Sequence, residues 1–168
     1  MELFDAISTR ASAARLAEPG PTPEHLLRIL DAATHAPDHG RLKPWRLIVL
    51  HQAARHQFAD AVVAARRSRL PEPTEEQLEL EREKLWRSPT LVVVGCALVR
   101  DNPKVPEVEQ VLSVGAAAQN MFLAAHALGY GVMWKTGPAA YDDRVKRSVG
   151  LQAHDHIVAI MHFGTRTK

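Results

Sequence analysis

The chain has 168 residues, a length that suits one domain whose core buries most of its apolar surface without disulfides. Its 21 Lys and Arg residues oppose 19 Asp and Glu residues, and the formal net charge of +2 is too balanced to indicate a nucleic-acid surface. The single cysteine excludes an intrachain disulfide. We therefore expect a single domain over residues 1–168 that does not bind nucleic acid.

No segment approaches the roughly 20 uninterrupted apolar residues that a membrane-spanning helix needs. The N-terminal residues include Glu2 and Asp5 and lack the apolar stretch of a signal peptide. The sequence therefore predicts a cytoplasmic protein that does not associate with a membrane.

The N-terminal third predicts two helices, a loop and a strand. The first helix is amphipathic and leads into residues 10–12, because four apolar side chains share one face: Leu3, Phe4, Ile7 and Ala11. Thr22 suits an N-cap and Pro23 the first helical position, so a second helix begins there and ends at Pro37. Residues 36–44 contain two prolines and a glycine, which predicts a loop leading into a strand over residues 45–50.

The middle of the chain predicts two helices and an interior strand. The helices span residues 54–70 and 74–87, and the second is so rich in charge that we interpret it as a solvated cover. The basic cluster at residues 66–69 is interpreted as a solvated helix end, because no aromatic partners or longer basic stripe accompany it. The strand over residues 91–99 is apolar on both faces, so its Cys96 is expected to be a buried structural thiol.

The longest predicted helix runs from residue 106 to about residue 128 and carries small side chains on several faces. A helix that is apolar around most of its circumference must be buried, and contact with a second subunit is a natural way to bury it. A strand at residues 132–134, a helix at 142–148 and a strand at 157–163 complete an α+β order.

The tripeptide Arg10-Ala11-Ser12 is a candidate phosphate site. A permanently charged guanidinium and a hydroxyl group together offer hydrogen-bond donors that match a phosphate, and Arg15 lies three residues further on. The simpler interpretation is a helix C-terminus whose cation faces the helix dipole. The tripeptide alone favours that simpler interpretation. The other motifs of the chain favour the phosphate site.

The order of motifs along the chain resembles the FMN-dependent nitroreductase family, in particular its short, single-domain NAD(P)H nitroreductases. The motifs are Arg10-x-Ser12, Ala36-Pro37-Asp38-His39, Pro44-Trp45, Leu128-Gly129-Tyr130-Gly131 and Trp134-Lys135-Thr136-Gly137. The resemblance extends from Thr9 to Arg166. It implies a nitroreductase-like α+β fold with a central, mostly antiparallel sheet flanked by helices, a long buried central helix, and a homodimer with cofactors at its interface.

The resemblance also implies which residues contact FMN: Arg10, Ala11, Ser12, His35, His39, Trp134, Lys135 and Thr136. Many family members have a second arginine where this chain has Ala11, so other cations must contribute more, and Arg166 is a candidate for the phosphate. Lys43 and Lys135 are candidates for the flavin ring, because reduced flavin carries negative charge near N1 and O2. The alternative is that Trp134 packs in the core and Lys135 extends into water.

The same resemblance implies that a stretch at the end of the long helix contacts the nicotinamide nucleotide. Its residues are Ala124, Ala125, His126, Ala127, Leu128 and Gly129. Helix packing explains these small residues equally well. The chain has no Gly-x-Gly-x-x-Gly fingerprint, so a Rossmann site is unsupported. In a flavin enzyme of this type, NADH or NADPH need only stack briefly over the ring and deliver hydride to N5.

The histidines raise the possibility of a metal site. His35 and His39 are four residues apart, but Pro37 interrupts the helix that would place them on one face, and no Cys or Glu completes a ligand set nearby. His154, His156 and His162 are expected to be surface or core residues. We therefore expect no metal.

Taken together, the sequence and the resemblance predict a homodimeric oxidoreductase. FMN accepts hydride from NADH or NADPH and reduces a nitroaromatic, quinone or related small-molecule acceptor by a ping-pong mechanism. The chemistry belongs to the flavin, so no catalytic side chain is assigned. The alternatives are a flavin reductase or dehalogenase of the same fold, a flavin-binding or sequestering protein with little turnover, and, less favoured, a metal-dependent hydrolase.

Overall fold

The structure of the chain is a computed structural model, which describes residues 1–167. In chain order its elements are α1 (Leu3–Thr9), β1 (Leu16–Ala17), α2 (Pro23–Thr34), β2 (Trp45–Val49), α3 (Gln52–Arg69), α4 (Glu75–Glu83), β3 (Thr90–Cys96), α5 (Glu107–Ala127), β4 (Gly131–Lys135), α6 (Asp143–Ser148) and β5 (His156–Arg166). Three short 3₁₀ turns lie at His39–Arg41, Lys84–Trp86 and Pro138–Tyr141.

The strands form one sheet in which every named pair of strands is antiparallel. β2 pairs with β3, and β3 pairs with β5. β5 also pairs with β4 over residues 160–164 and with the two residues of β1 at its C-terminal end. The predicted α+β fold with a mostly antiparallel sheet is confirmed.

Side chains that alternate along β3 and β5 build two cores, one on each face of the sheet. Val92 and Met161 are among those packed with α2 and α5. Leu91 and Ile160 are among those packed with α3 and α6 on the opposite face. Cys96 is fully buried. Burial, together with a smaller contribution from the charge of Asp155, raises the pKa of its thiol to about 12. The interior strand and the structural cysteine are therefore as predicted.

Several predicted boundaries were wrong because tertiary contacts decide them. The strand predicted to continue to residue 99 ends at Cys96, since the N–H groups of Leu98 and Val99 bind side chains of Asp155 and Gln110 instead of a strand. The last strand continues to Arg166, where it pairs with the unpredicted β1. The helix predicted over residues 74–87 ends at Glu83 and becomes a 3₁₀ turn.

The helix α5 is buried on only one side. Its Val114, Met121 and Phe122 lie in the core, whereas the side chains of Val108 and Leu112 are 63% and 66% exposed. The sequence predicted a helix that is buried around most of its circumference. Within one protomer, only one face of α5 is buried.

The helix α1 exposes the apolar face that the sequence predicted. Leu3, Phe4 and Ile7 are 63%, 82% and 51% exposed, and Ala11 lies beyond the end of the helix. The helix is attached to the C-terminal half of α5, where Thr9 Oγ1 lies 2.9 Å from His126 Nε2. An exposed apolar patch of this kind is typical of a surface that binds another molecule.

Candidate functional site

The segment after α1 is held against the start of β4. The N–H of Ala13 donates to the carbonyl of Val132 at 2.8 Å, which forms a parallel bridge between Ser12 and Val132. The guanidinium of Arg10 lies over the ring of Phe122, 4.7 Å from its centroid. This cation–π contact orients Arg10 without neutralising its charge.

The cations proposed for a phosphate converge at the same place. Leu16 pairs with Arg166 in the sheet, and the N–H of Thr167 lies 3.4 Å from the carbonyl of Arg15. Gly131 makes the convergence possible, because a Cβ there would lie 3.1 Å from Arg166 Cβ and 2.6 Å from Leu16 Cδ2. Ser12, Arg15 and Arg166 therefore belong to one end of the β4–β5 pair, whereas the guanidinium of Arg10 is directed to Phe122 of α5.

A cavity of about 320 Å³ lies further along the same two strands, between them and α3 and α4. Its sheet side carries Met133, Lys135, Ile160 and His162. Its opposite side is formed by α3 and the segment that follows α4, and its rim by residues 136–139. This volume lies at the lower end of the range typical of small-molecule sites.

Positive charge predominates around this cavity. One carboxylate, Glu81, faces five cations: Arg66, Arg69, Lys84, Arg87 and Lys135. Glu81 Oε1 lies 2.6 Å from Lys84 Nζ and 3.8 Å from Arg66 Nε. Among the described residues, Arg66 Nε has no hydrogen-bond partner although it is buried. Such a cavity favours a ligand that carries negative charge or several acceptor oxygens.

The interpretation of residues 66–69 as a solvated helix end was therefore incomplete. Arg67, Ser68 and Arg69 are exposed as predicted, and Arg67 pairs with Glu75 at 3.0 Å, but Arg66 and Arg69 also line the cavity. The one-sided spacing of Arg66 and Arg69, three residues apart on α3, was the signal available in the sequence.

A second, shallower hollow adjoins the cavity. It is lined by Ala14, Arg15, Leu16 and Thr167, and Arg87 lines both spaces. The two hollows meet at Arg87, and together they are called the groove here, with one end at Arg15 and the other at Lys135. Arg87, which lies just before β3, was not singled out by the sequence, because no local pattern distinguishes it from other surface arginines.

His162 lies at the bottom of the cavity and is only 4% exposed. Its Nδ1 is 2.9 Å from the hydroxyl of Ser88, which itself donates to the carbonyl of Thr90 at 3.0 Å. Burial, reinforced by the charges of Arg55, Lys135 and Arg87, lowers the pKa of His162 to about 4. The imidazole is thus neutral at physiological pH, and the expected core histidine also faces a cavity.

The stretch Trp134-Lys135-Thr136 divides between the core and the cavity. Trp134 Nε1 donates to the carbonyl of Val158 at 3.2 Å, and its ring packs against the core on the α5 side. Lys135 and Thr136 line the cavity. The alternative of a core tryptophan therefore describes the Trp134 side chain, and Lys135, although it borders the cavity, is exposed as the same alternative expected.

The loop with the remaining predicted contacts lies elsewhere in the protomer. His39 Nδ1 is 2.5 Å from Glu109 Oε2, beside the first turn of α5. Glu109 and the Phe122 ring beneath Arg10 are 13 positions apart, or about 20 Å along the helix. His35 is exposed and pairs with Asp31 at 3.4 Å. One protomer therefore does not bring His39 close to Arg10, and neither His35 nor His39 lines the groove.

Lys43 belongs to the same distant loop and is exposed. Its N–H donates to Asp38 Oδ2 at 2.7 Å, and its φ of 48° is left-handed, as are those of Gly40 and Arg41. Left-handed backbone at two residues with side chains costs free energy, and such strain concentrates at binding loops.

The stretch from Ala124 to Gly129 lines neither part of the groove. Ala125 is buried in the core, His126 contacts Thr9 of α1, and Gly129 ends the helix with a φ of 89°. Helix packing and termination account for these residues within the protomer.

Neither a metal-binding cluster nor a helix able to cross a bilayer occurs within residues 1–167. These residues contain no group of three or more His, Cys, Asp or Glu side chains that could hold a metal ion. None of their helices combines the length and the apolar character that crossing a bilayer requires.

Comparison with known proteins gives consistent matches over the chain. The sequence profile described as "Nitroreductase family" matches residues 8–165. The Escherichia coli (strain K12) protein YdjA, named as a candidate NAD(P)H nitroreductase, is 33% identical over 165 residues, which cover 98% of this chain and 88% of that protein.

Solved structures show the same fold. A nitroreductase-like family protein from Bacillus cereus superimposes with a TM-score of 0.84 at 24% identity, covering 100% of this chain and 87% of that one. A nitroreductase from Bacteroides fragilis NCTC 9343 with bound FMN superimposes with a TM-score of 0.73 at 21% identity, covering 99% and 89%.

The low pKa of His162 predicts a specific dependence of stability on pH. Between pH 6.5 and about 4 the unfolded chain binds a proton at this position and the folded chain does not. The free energy of unfolding should therefore decrease as the pH falls through this window, by up to about 3 kcal/mol, and stay constant in this respect above it. Urea unfolding of wild type and His162→Gln at several pH values measures it, since the variant should lack this component and keep those of the other histidines. Identical pH slopes for the two proteins would contradict the assignment.

Proposed function

Because the chain belongs to the nitroreductase family, we propose that it is an FMN-dependent oxidoreductase using NADH or NADPH to reduce a nitroaromatic, quinone or related small molecule. The observation that carries the proposal is the positively charged groove that connects Arg15 with Lys135 along β4 and β5. The name of the relative YdjA and the FMN bound to the Bacteroides fragilis protein support it. Since NADH and NADPH are supplied inside cells, the proposal includes a cytoplasmic location.

The Arg15 end of the groove, with Arg10 and Ser12 on the segment that leads into it, suits the phosphate of FMN. Arg10, Ser12, Arg15 and Arg166 offer guanidinium and hydroxyl donors there, and Ala11 can offer only its backbone. Arg15 and Arg166 thereby supply the charge that a second arginine at position 11 would otherwise provide.

The Lys135 end suits the ring. Met133 and Ile160 offer apolar surface to a flat ring and exclude water from it. The surrounding cations favour negative charge at the N1–O2 edge, and this preference raises the tendency of a bound flavin to accept electrons. FMN, when bound, would supply the hydride and electron transfer, and no side chain is assigned as a general acid or base.

A homodimer is part of the proposal, and geometry supports it. The exposed residues Val108 and Leu112 lie near one end of α5, and α1 with its exposed face is attached near the other. A two-fold axis across the middle of α5 would bring α1 of each protomer towards the exposed end of α5 in the other.

The same axis bears on the cofactor site. His39 lies beside the first end of α5 and Arg10 beside the second, about 20 Å away. Two-fold pairing would bring the His39 loop of one protomer to the groove of its partner. The predicted contacts of His35 and His39 with FMN, and of Lys43 with its ring, are then contacts across the interface.

The absorption spectrum of the purified protein tests the function directly. We expect bound FMN, identified after denaturation, and bleaching of its visible bands when NADH or NADPH is added anaerobically. Steady-state oxidation of the nucleotide with an added quinone or nitroaromatic then separates an enzyme from a flavin-sequestering protein, which would bleach slowly and show negligible turnover. A protein that stays colourless in excess FMN would refute the proposal.

The variant Arg10→Ala tests the phosphate site. Loss of one charge-assisted contact should weaken FMN binding about tenfold or more while the fold persists. Fluorescence titration of FMN measures the affinity, and circular dichroism checks the fold. Arg147→Ala, at an exposed position on α6, is the matched control and should bind FMN like the wild type. Unchanged FMN affinity in Arg10→Ala would remove the assigned role.

The variant Leu112→Glu tests the homodimer and the shared site together. A charge on the exposed apolar face of α5 should shift the protein towards monomer and weaken FMN binding, since each site would lose the partner's loop. Sedimentation velocity and FMN titration measure the two effects. Leu80→Glu, which adds the same charge at a 47% exposed leucine of α4, should remain dimeric. A dimeric Leu112→Glu protein would place the interface elsewhere.

A further inference from the structure

The hydrogen bonds of Ser88 fix which nitrogen of His162 carries the proton. A serine hydroxyl has one proton, and that of Ser88 goes to the carbonyl of Thr90. The 2.9 Å contact between Ser88 Oγ and His162 Nδ1 must then be an N–H donated by the histidine. In a neutral imidazole the other nitrogen, Nε2, is consequently a pure acceptor.

No protein group in residues 1–167 donates to this acceptor. His162 makes one side-chain hydrogen bond, the one to Ser88, and it lines the cavity. His162 is 4% exposed, and its Nε2 is not among the fully buried polar atoms that lack a partner, so this nitrogen is open to the cavity. A ligand that donates a hydrogen bond to Nε2 would pair an acceptor that the protein leaves unpaired.

The groups around His162 have the opposite character. Lys135 lies on the same face of β4 as Met133, the residue paired with His162, and Arg66 and Arg87 line the same cavity. Ammonium and guanidinium groups only donate hydrogen bonds. The cavity therefore presents one acceptor among several donors.

A ligand edge that complements this arrangement has one N–H between two carbonyl oxygens. Such an imide edge is present in the pyrimidine part of the flavin ring, where N3–H lies between the carbonyls at C2 and C4. A carboxylate or a simple quinone offers acceptors only, and would satisfy the cations but leave Nε2 without a donor.

We propose that His162 determines how the flavin ring sits in the cavity, with its neutral Nε2 accepting the N3–H while neighbouring cations donate to the two flanking carbonyls. This inference rests on the proposed function, since it names the part of FMN that the cavity recognises. His162 acts as a positioning and specificity residue. It takes no part in the transfer of hydride.

Ser88 and Arg55 support His162 from behind. Arg55 is buried and donates to the carbonyls of Leu85, Ser88 and Pro89, with 2.8 Å from Nε to Leu85 and 2.7 Å from Nη2 to Ser88. These bonds hold the segment before β3, and with it the hydroxyl that fixes the proton on Nδ1. Removing the Ser88 hydroxyl would release this constraint while leaving the imidazole in place.

The test compares FMN with 3-methyl-FMN, which lacks the N3–H, by fluorescence titration under anaerobic conditions. The wild type should bind the methylated flavin roughly ten- to hundredfold more weakly than FMN. His162→Leu should bind FMN more weakly and lose the discrimination, whereas His162→Gln, whose amide oxygen is an acceptor, should keep part of it. His156→Leu, at the exposed start of β5, is the control and should discriminate like the wild type.

A second measurement uses the wild-type protein, and the variant Ser88→Ala extends it. In protein labelled with ¹⁵N-histidine, the nitrogen shifts of His162 should show a protonated Nδ1 and an unprotonated Nε2, both before and after FMN is added, and Nε2 should shift on binding. Ser88→Ala should mix the two tautomers and weaken FMN binding severalfold.

The possible failures are distinguishable. Equal affinity of the wild type for both flavins, retained discrimination in His162→Leu, or a proton on Nε2 in the FMN complex would overturn the role of His162 and leave the proposed function intact. Absence of binding by either flavin would overturn both.

Discussion

The pairing of β5 on both of its edges is the constraint on which the rest of the structure depends. β3 and β4 flank the strand, so its alternate side chains must enter either the α5 core or the α3 core. The same alternation directs Ile160 and His162 towards the space beneath α3 and α4. The sheet that organises the hydrophobic cores therefore also forms one side of the cavity, and it fixes the position of the cavity relative to Arg166 at the end of β5.

Charge distribution connects this framework to function. The chain is nearly neutral, yet five of its cations surround one cavity with a single carboxylate. Four of these cations, Arg69, Lys84, Arg87 and Lys135, are exposed, so their flexible side chains and the surrounding water limit the repulsion among them. An electron-rich ligand that binds in the cavity would be stabilised by the charges around it. A neutral histidine at the bottom of such a cavity then adds directionality that the flexible cations lack.

The length of α5 explains why a single protomer leaves the site incomplete. Glu109, which contacts His39, and Phe122, which lies beneath Arg10, are about 20 Å apart along this helix. The apolar side chains exposed on α1 and α5 are not covered by any element that residues 1–167 form. One symmetric association would cover the apolar faces and complete the groove together, so the proposed cofactor site and the proposed interface stand on the same geometry.

The sequence by itself determined the elements whose signals are local. Thr22 and Pro23 specify the start of α2, and the apolar run specifies β3 as an interior strand. The order of motifs also predicted the family, because spacing survives when most side chains differ. Only the tertiary structure decided the two-residue strand β1, which exists through its pairing with Arg166, and the cavity, where Arg66, Arg87 and His162 meet from three distant segments. Such meetings depend on long-range strand register, which leaves no periodic trace near any one of the residues.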